Sequence, residues 1–234
     1  MSVSSQSSFT AAMAVLPVLA VTFLQAVGTA VSVAPSGTPP PSGIWLALLS
    51  SAATLAFAVL LSRLFSCTGQ RTSLTESPAS FWKGFGVGLL FGAGTTLLVL
   101  GLAWMLHKLC DAWGYETIRQ EVFDWLIDTS LPLPLRVFLA VNAVLIAPVL
   151  EECAYRGVLF REALRKAKGW VSPALTTAVY FSLMHLNAFA FLPLLLFGFC
   201  TAAAYRKTHT LATPIAMHLF FNTASLAIWF ASPS

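Results

Sequence analysis

Residues 145–160 read Leu145-Ile146-Ala147-Pro148-Val149-Leu150-Glu151-Glu152-Cys153-Ala154-Tyr155-Arg156-Gly157-Val158-Leu159-Phe160, an apolar run into which two acids and an arginine are set. The apolar character extends back to Leu135, which makes the segment long enough for the roughly 20 residues that a bilayer core of about 30 Å demands. A charge at the centre of such a helix costs roughly 2.5–3.5 kcal/mol on insertion scales, so a charge kept there marks function. Glu152 and Arg156 stand at i, i+4 and can pair along one face. Glu151 lies about 100° round the helix from Glu152 and is left free to face something else. Pro148 removes a backbone donor just before the acids, which predicts a kink. The alternative is a buried ion cluster that only fixes helix packing. It accounts for Arg156 and one acid and leaves the second acid without a purpose.

Outward from this run, the chain is of one kind. Of 234 residues, 57% are hydrophobic and 9% charged, against about 25% charged in a soluble domain. Lipid is therefore the solvent, and the expected fold is all-α: a polytopic transmembrane bundle forming one integral membrane domain over residues 1–234. Seven apolar segments are expected, at about Phe9–Ala34, Gly43–Phe65, Gly84–Leu106, Leu135–Phe160, Val171–Leu186, Ala188–Tyr205 and Leu211–Phe230. Pro35 and Pro39-Pro40-Pro41 break the chain after the first. Tyr115–Asp128 alternates Ile118, Val122, Trp125 and Leu126 with Glu116, Arg119, Glu121 and Asp124, the pattern of an amphipathic helix lying at the interface. Residues 1–130 then hold the N-terminal and interfacial helices, and residues 131–232 a core with the ionisable groups. Gly84, Gly88 and Gly92 share one face at a spacing that suits close helix packing.

The net charge of +4 does not point to nucleic acid, because the basic residues sit in short gaps between apolar runs. With the N-terminus inside, inner gaps hold nine Lys and Arg and outer gaps three, which favours a cytoplasmic N-terminus and an outer C-terminus, in a cell membrane. The first apolar run is longer than a signal-peptide core and is expected to be a retained helix. The four cysteines show no C-x-x-C spacing and read as small hydrophobes.

Further polar groups fall in the later segments. His185 ends Phe181-Ser182-Leu183-Met184-His185, and His218 and Asn222 stand at i, i+4 on one face of the last segment. Lys166-Ala167-Lys168-Gly169 marks the tip of a helical hairpin. Glu151 precedes Lys168 by 17 residues and His185 follows it by 17, so the two are expected at one depth, facing each other. All four side chains, Glu151, His185, His218 and Asn222, are expected to line one cavity.

These residues carry a resemblance. The run from Ala147 to Gly157 resembles the EExxxR(G) signature of the CPBP family, the CAAX prenyl endopeptidases and bacteriocin-processing enzymes also called Abi. Phe181…His185 is similar to its FxxxH motif, and His218…Asn222 to its HxxxN/D motif, in the family's order. The resemblance implies a glutamate-type intramembrane endopeptidase acting on a membrane-associated or lipid-modified protein or peptide. Glu151 becomes the general base assisted by His185, His218 and Asn222 the oxyanion donors, and Glu152 and Arg156 the supporting pair. No cofactor is expected. Zinc held by Glu151, His185 and His218 is the alternative, although no H-E-x-x-H occurs. Two other classes compete: a proton-coupled transporter, for which no inverted repeat is visible, and a non-catalytic immunity or scaffold protein.

Overall fold

The computed structural model describes residues 78–115, 126, 129, 132–185 and 187–231, and every secondary-structure element among them is helical. The first two expected segments, Phe9–Ala34 and Gly43–Phe65, lie outside the described residues, as does most of the amphipathic stretch Tyr115–Asp128. From that stretch Leu126 is described. It is buried, and its carbonyl accepts a hydrogen bond from Arg136 Nε at 2.8 Å.

Helix α1, Pro78–Ala112, is 35 residues long, about 50 Å at 1.5 Å per residue, and exceeds the apolar slab of a bilayer. No charge falls between Lys83 and Lys108. Trp82 and Trp104, both largely exposed, stand about 33 Å apart along the axis, as interfacial aromatic anchors do. At its far end Lys108 and His107 reach Asp111 at 3.7 and 3.5 Å in a half-exposed cluster.

The decisive segment forms a nearly continuous helical run. Helix α2, Leu133–Val141, passes into a π-helical turn, Asn142–Ile146, then helix α3, Ala147–Glu152. A second π-helical stretch, Cys153–Phe160, leads to helix α4, Arg161–Lys166. The expected disturbance at Pro148 is thus a change of helical register. The Ala147 amide still reaches the Asn142 carbonyl, and the next carbonyl in that register, that of Ala143, meets the proline. The hairpin tip lies where expected: Ala167 turns extended and helix α5, Val171–Leu183, follows. Helix α6, Phe191–Thr208, ends on His209 in the left-handed conformation, with Arg206 and Lys207 in its last turn, where cations complement the dipole. Helix α7, Ala212–Ala231, closes the core.

Three helical spans are long and apolar enough to cross a membrane, Ala79–Ala112, Arg136–Gly157 and Ala212–Ala231, and Val171–Leu183 is a shorter apolar helix. Packing follows small residues. Gly84, Gly88 and Gly92 are buried on the face of α1 that meets α7. A Cβ at Gly88 would collide with the Thr213 carbonyl and lie 2.7 Å from Ala216 Cβ, and one at Gly92 would lie 3.0 Å from Met217 Cα. The close approach lets Thr213 Oγ1 donate to the Gly84 carbonyl at 3.0 Å. Gly198 serves the α5–α6 crossing in the same way, its missing Cβ 3.1 Å from Ala178 Cα. Val99, Ala154, Tyr155, Phe181, Leu194 and Phe197 form the apolar core beside the ionisable groups.

Candidate active site

The site begins with a guanidinium that has no access to solvent. Arg156 is fully buried, and Nη1 donates to Glu152 Oε1 at 2.9 Å, the i, i+4 pair expected from the spacing. Nη2 donates across to α6, to the Gly198 carbonyl at 2.9 Å and to Thr201 Oγ1. The Thr201 hydroxyl passes its own proton to the Phe197 carbonyl at 3.0 Å. The Arg156 charge also sits over the Phe181 ring, 5.2 Å from its centroid, a contact that helps a desolvated cation. Glu152 is sealed as completely as Arg156. Its Oε1 carries two donors and its Oε2 none.

The second donor comes from α7. His218 Nδ1 lies 2.9 Å from Glu152 Oε1. An ion-paired carboxylate only accepts, so Nδ1 carries a proton. The ring is held between Phe197, at 4.9 Å between centroids, and the edge of Phe181, at 5.7 Å. Its Nε2 is directed at Glu151 and stands 3.8 Å from Oε2. That distance is an ion-pair distance, longer than a hydrogen bond. Glu151 differs from its neighbour in one decisive respect. Its side chain is 15% exposed, where that of Glu152 is 0%, so one acid of the pair is braced inside and the other faces accessible space.

His185 lies two residues past the end of α5. Its Nδ1 contacts the Phe181 carbonyl at 2.8 Å and must donate there, which leaves Nε2 as an acceptor in the neutral ring. Its ring packs on Phe181 at 4.7 Å, the same phenylalanine that His218 contacts. His185 and Glu151 make no direct hydrogen bond or ion pair. Asn222, one turn beyond His218, donates from Nδ2 to the Ala143 carbonyl at 2.7 Å.

The structure thus joins Glu151, His218, Glu152 and Arg156 in one chain of contacts, brings His185 to it through Phe181, and ties Asn222 to the π-helical turn before Pro148. Thr201 and the carbonyls of Gly198 and Ala143 complete this set, and nothing in an uncharged stretch of sequence announces them. Phe181 was in view as the first residue of the Phe181…His185 run. Among the described residues no three His, Cys, Asp or Glu side chains converge as metal ligands. Cys110, Cys153 and Cys200 are free thiols.

Residues 133–224 match the family model described as type II CAAX prenyl endopeptidase Rce1-like. That range opens on the first residue of α2 and closes two residues after Asn222, so it contains all six residues of the cluster. Comparison with curated proteins and with solved structures gives no match. Over residues 133–224 the chain is thus similar to the CAAX prenyl endopeptidase family, and with its long apolar helices it is an integral membrane protein.

Proposed function

We propose that the protein is a glutamate-type intramembrane endopeptidase that hydrolyses a peptide bond near the lipid-modified or membrane-anchored end of its substrate. The observation that carries this reading is the contrast within one acidic pair: Glu152 is locked to Arg156 and His218, while Glu151 beside it stays accessible. Glu151 takes a proton from the attacking water, and His185, whose Nε2 accepts, assists. A positioned base of this kind contributes roughly 10²–10⁴-fold. His218 Nε2–H and the Asn222 amide donate to the oxyanion as the carbonyl is attacked, and one such donor contributes roughly 10²–10³-fold. Arg156 pairs with Glu152, and the two ring nitrogens of His218 face an oxygen of each acid.

Access for water and substrate is part of the reading. Counted from the basic tip at Lys168, α5 extends about 20 Å before the chain leaves the helix at Met184. Irregular backbone at membrane depth survives only where protein buries it or a wet cavity bathes it. The turn around His185 therefore suits the wall of a water-filled cavity. The substrate is a membrane-associated protein or peptide, with a prenylated C-terminus as the specific case. The reading includes seven membrane helices, a cytoplasmic N-terminus, an outer C-terminus, residence in the cell membrane, and catalysis without a metal.

The experiment is cleavage in proteoliposomes of lipidated and unlipidated membrane-anchored peptides, followed by mass spectrometry in the presence of a strong chelator. Wild type is expected to cleave under chelation, and Glu151→Gln to lose at least about 10²-fold in rate while folding normally. Undiminished cleavage by Glu151→Gln refutes the assigned base. Cleavage that chelation abolishes and zinc restores refutes the metal-free mechanism.

A further inference from the structure

Ala143 lies inside the π-helical turn Asn142–Ile146, where the backbone amide bonds back five residues, as Ala147 N–H to the Asn142 carbonyl shows. The next bond in that register would run from residue 148 to the Ala143 carbonyl. Residue 148 is a proline and has no N–H. The Ala143 carbonyl is thereby left without its backbone donor, and a bare carbonyl in an apolar interior is costly. Asn222 Nδ2, from α7, occupies that place at 2.7 Å. Pro148 itself is fully buried, and α7 packs along both the π-helical turn and α3.

We propose that Pro148 and Asn222 form a staple between helices: the proline withholds a donor from Ala143, and the asparagine of α7 supplies it, fixing its own amide as it does so. A carbonyl acceptor selects the NH₂ end of the amide, because the Oδ1 end would face it with lone pairs. One of the two N–H bonds is spent on Ala143. The other makes no further hydrogen bond among the described residues and stays available on the helix face that Asn222 shares with His218. Asn222 is then held as a donor, and its helix is locked in phase with Glu151, which stands three residues past Pro148 and eight past Ala143 on the same helical run. The second half of the proposal, the use of the free N–H in turnover, rests on the catalytic reading above. The staple itself does not.

The test is a double-mutant cycle on the purified full-length protein in lipid nanodiscs, read by thermal unfolding and, separately, by peptide cleavage. Asn222→Ala in the Pro148 background leaves a carbonyl without a donor and is expected to lower the midpoint by about 4 °C. In a Pro148→Ala background the restored amide of residue 148 offers Ala143 a backbone donor in the π register that the structure shows. There the same Asn222→Ala change is expected to shift the midpoint by less than about 1 °C. Equal shifts in both backgrounds overturn the staple. If Asn222→Ala is recovered only unfolded, a folded Pro148→Ala/Asn222→Ala protein supports it and an unfolded one overturns it. For the second half, the double variant is expected to regain its midpoint without regaining rate, with kcat reduced at least about 10²-fold and KM within about twofold. A double variant that regains full rate overturns the catalytic use of the amide. Because the midpoint is measured without substrate, a wild type that cleaves nothing would refute the proposed function and leave the staple standing.

Discussion

The molecule holds its helices together in two unlike ways. Along α1 and α7 the contact is made by absence: Gly84, Gly88 and Gly92 give up their side chains so that Thr213, Ala216 and Met217 can come against bare backbone. Around Arg156 the contact is made by charge: one guanidinium ties the π-helical stretch Cys153–Phe160 to Glu152 and to α6, and Glu152 ties both to α7 through His218. In lipid the first kind gains from dispersion and close approach, since there is no water to expel. The second carries a desolvation cost that pairing offsets in part, since Glu152 Oε2 and Arg156 Nε have no hydrogen-bond partner. The glycine seam can be made almost anywhere along a helix and performs no chemistry. The charged cluster exists at one depth, and it is also where an accessible acid sits.

Substitutions should separate the two. The largest effect is expected at the charged cluster: Arg156→Ala strands Glu152 in a site closed to solvent, at about 3–5 kcal/mol. The check is the yield of folded protein and its unfolding midpoint. Full stability of this variant would remove the distinction, since the cluster would then be dispensable. A smaller effect is expected at the seam. Gly88→Ala forces a methyl group into the Thr213 carbonyl and Ala216, and overpacking of this kind costs about 1–3 kcal/mol, read by the same assay with little change in cleavage rate per folded molecule. The smallest is expected at Gly94 on the same helix, where an added Cβ meets nothing within 4 Å. Gly94→Ala should stay within about 0.5 kcal/mol of wild type. Alanine is the better helix former at both positions, so a loss at Gly94 equal to that at Gly88 would show that crowding at the seam does not explain the cost.

The sequence was most legible where chemistry is local. The Glu152–Arg156 pair follows from i, i+4 spacing alone, and the hairpin tip from Lys166-Ala167-Lys168-Gly169 appears as the extended Ala167 before α5. Helix limits were legible only as apolar limits: α1 runs from Pro78 to Ala112, beyond the expected Gly84–Leu106, because a helix does not stop where hydropathy does. In the other direction α5 ends at Leu183, short of the expected Leu186, and so places His185 on a turn. Two things could not be read. The π register of Asn142–Ile146 leaves no mark on composition. The partners Gly198, Thr201 and Ala143 act largely through backbone carbonyls, which every residue has. The first two membrane segments and most of the interfacial stretch lie outside the described residues, and no comparison of seam and cluster extends to them.

The π-helical turn has one more consequence, for how this segment can change over generations. A π turn is an α-helix with one residue too many. Removing a single residue between Asn142 and Ile146 would restore the ordinary register and turn α2 by about 100° relative to Glu151. Hydropathy, length for spanning and every acidic and basic residue would survive such a deletion. Ala143 and Arg136 would nonetheless leave the faces on which they meet Asn222 and Leu126. At the apolar positions between Val137 and Ala147 the spacing of residues is thus under stricter constraint than their identity: substitutions that keep those positions apolar preserve the faces, whereas a gap of one does not.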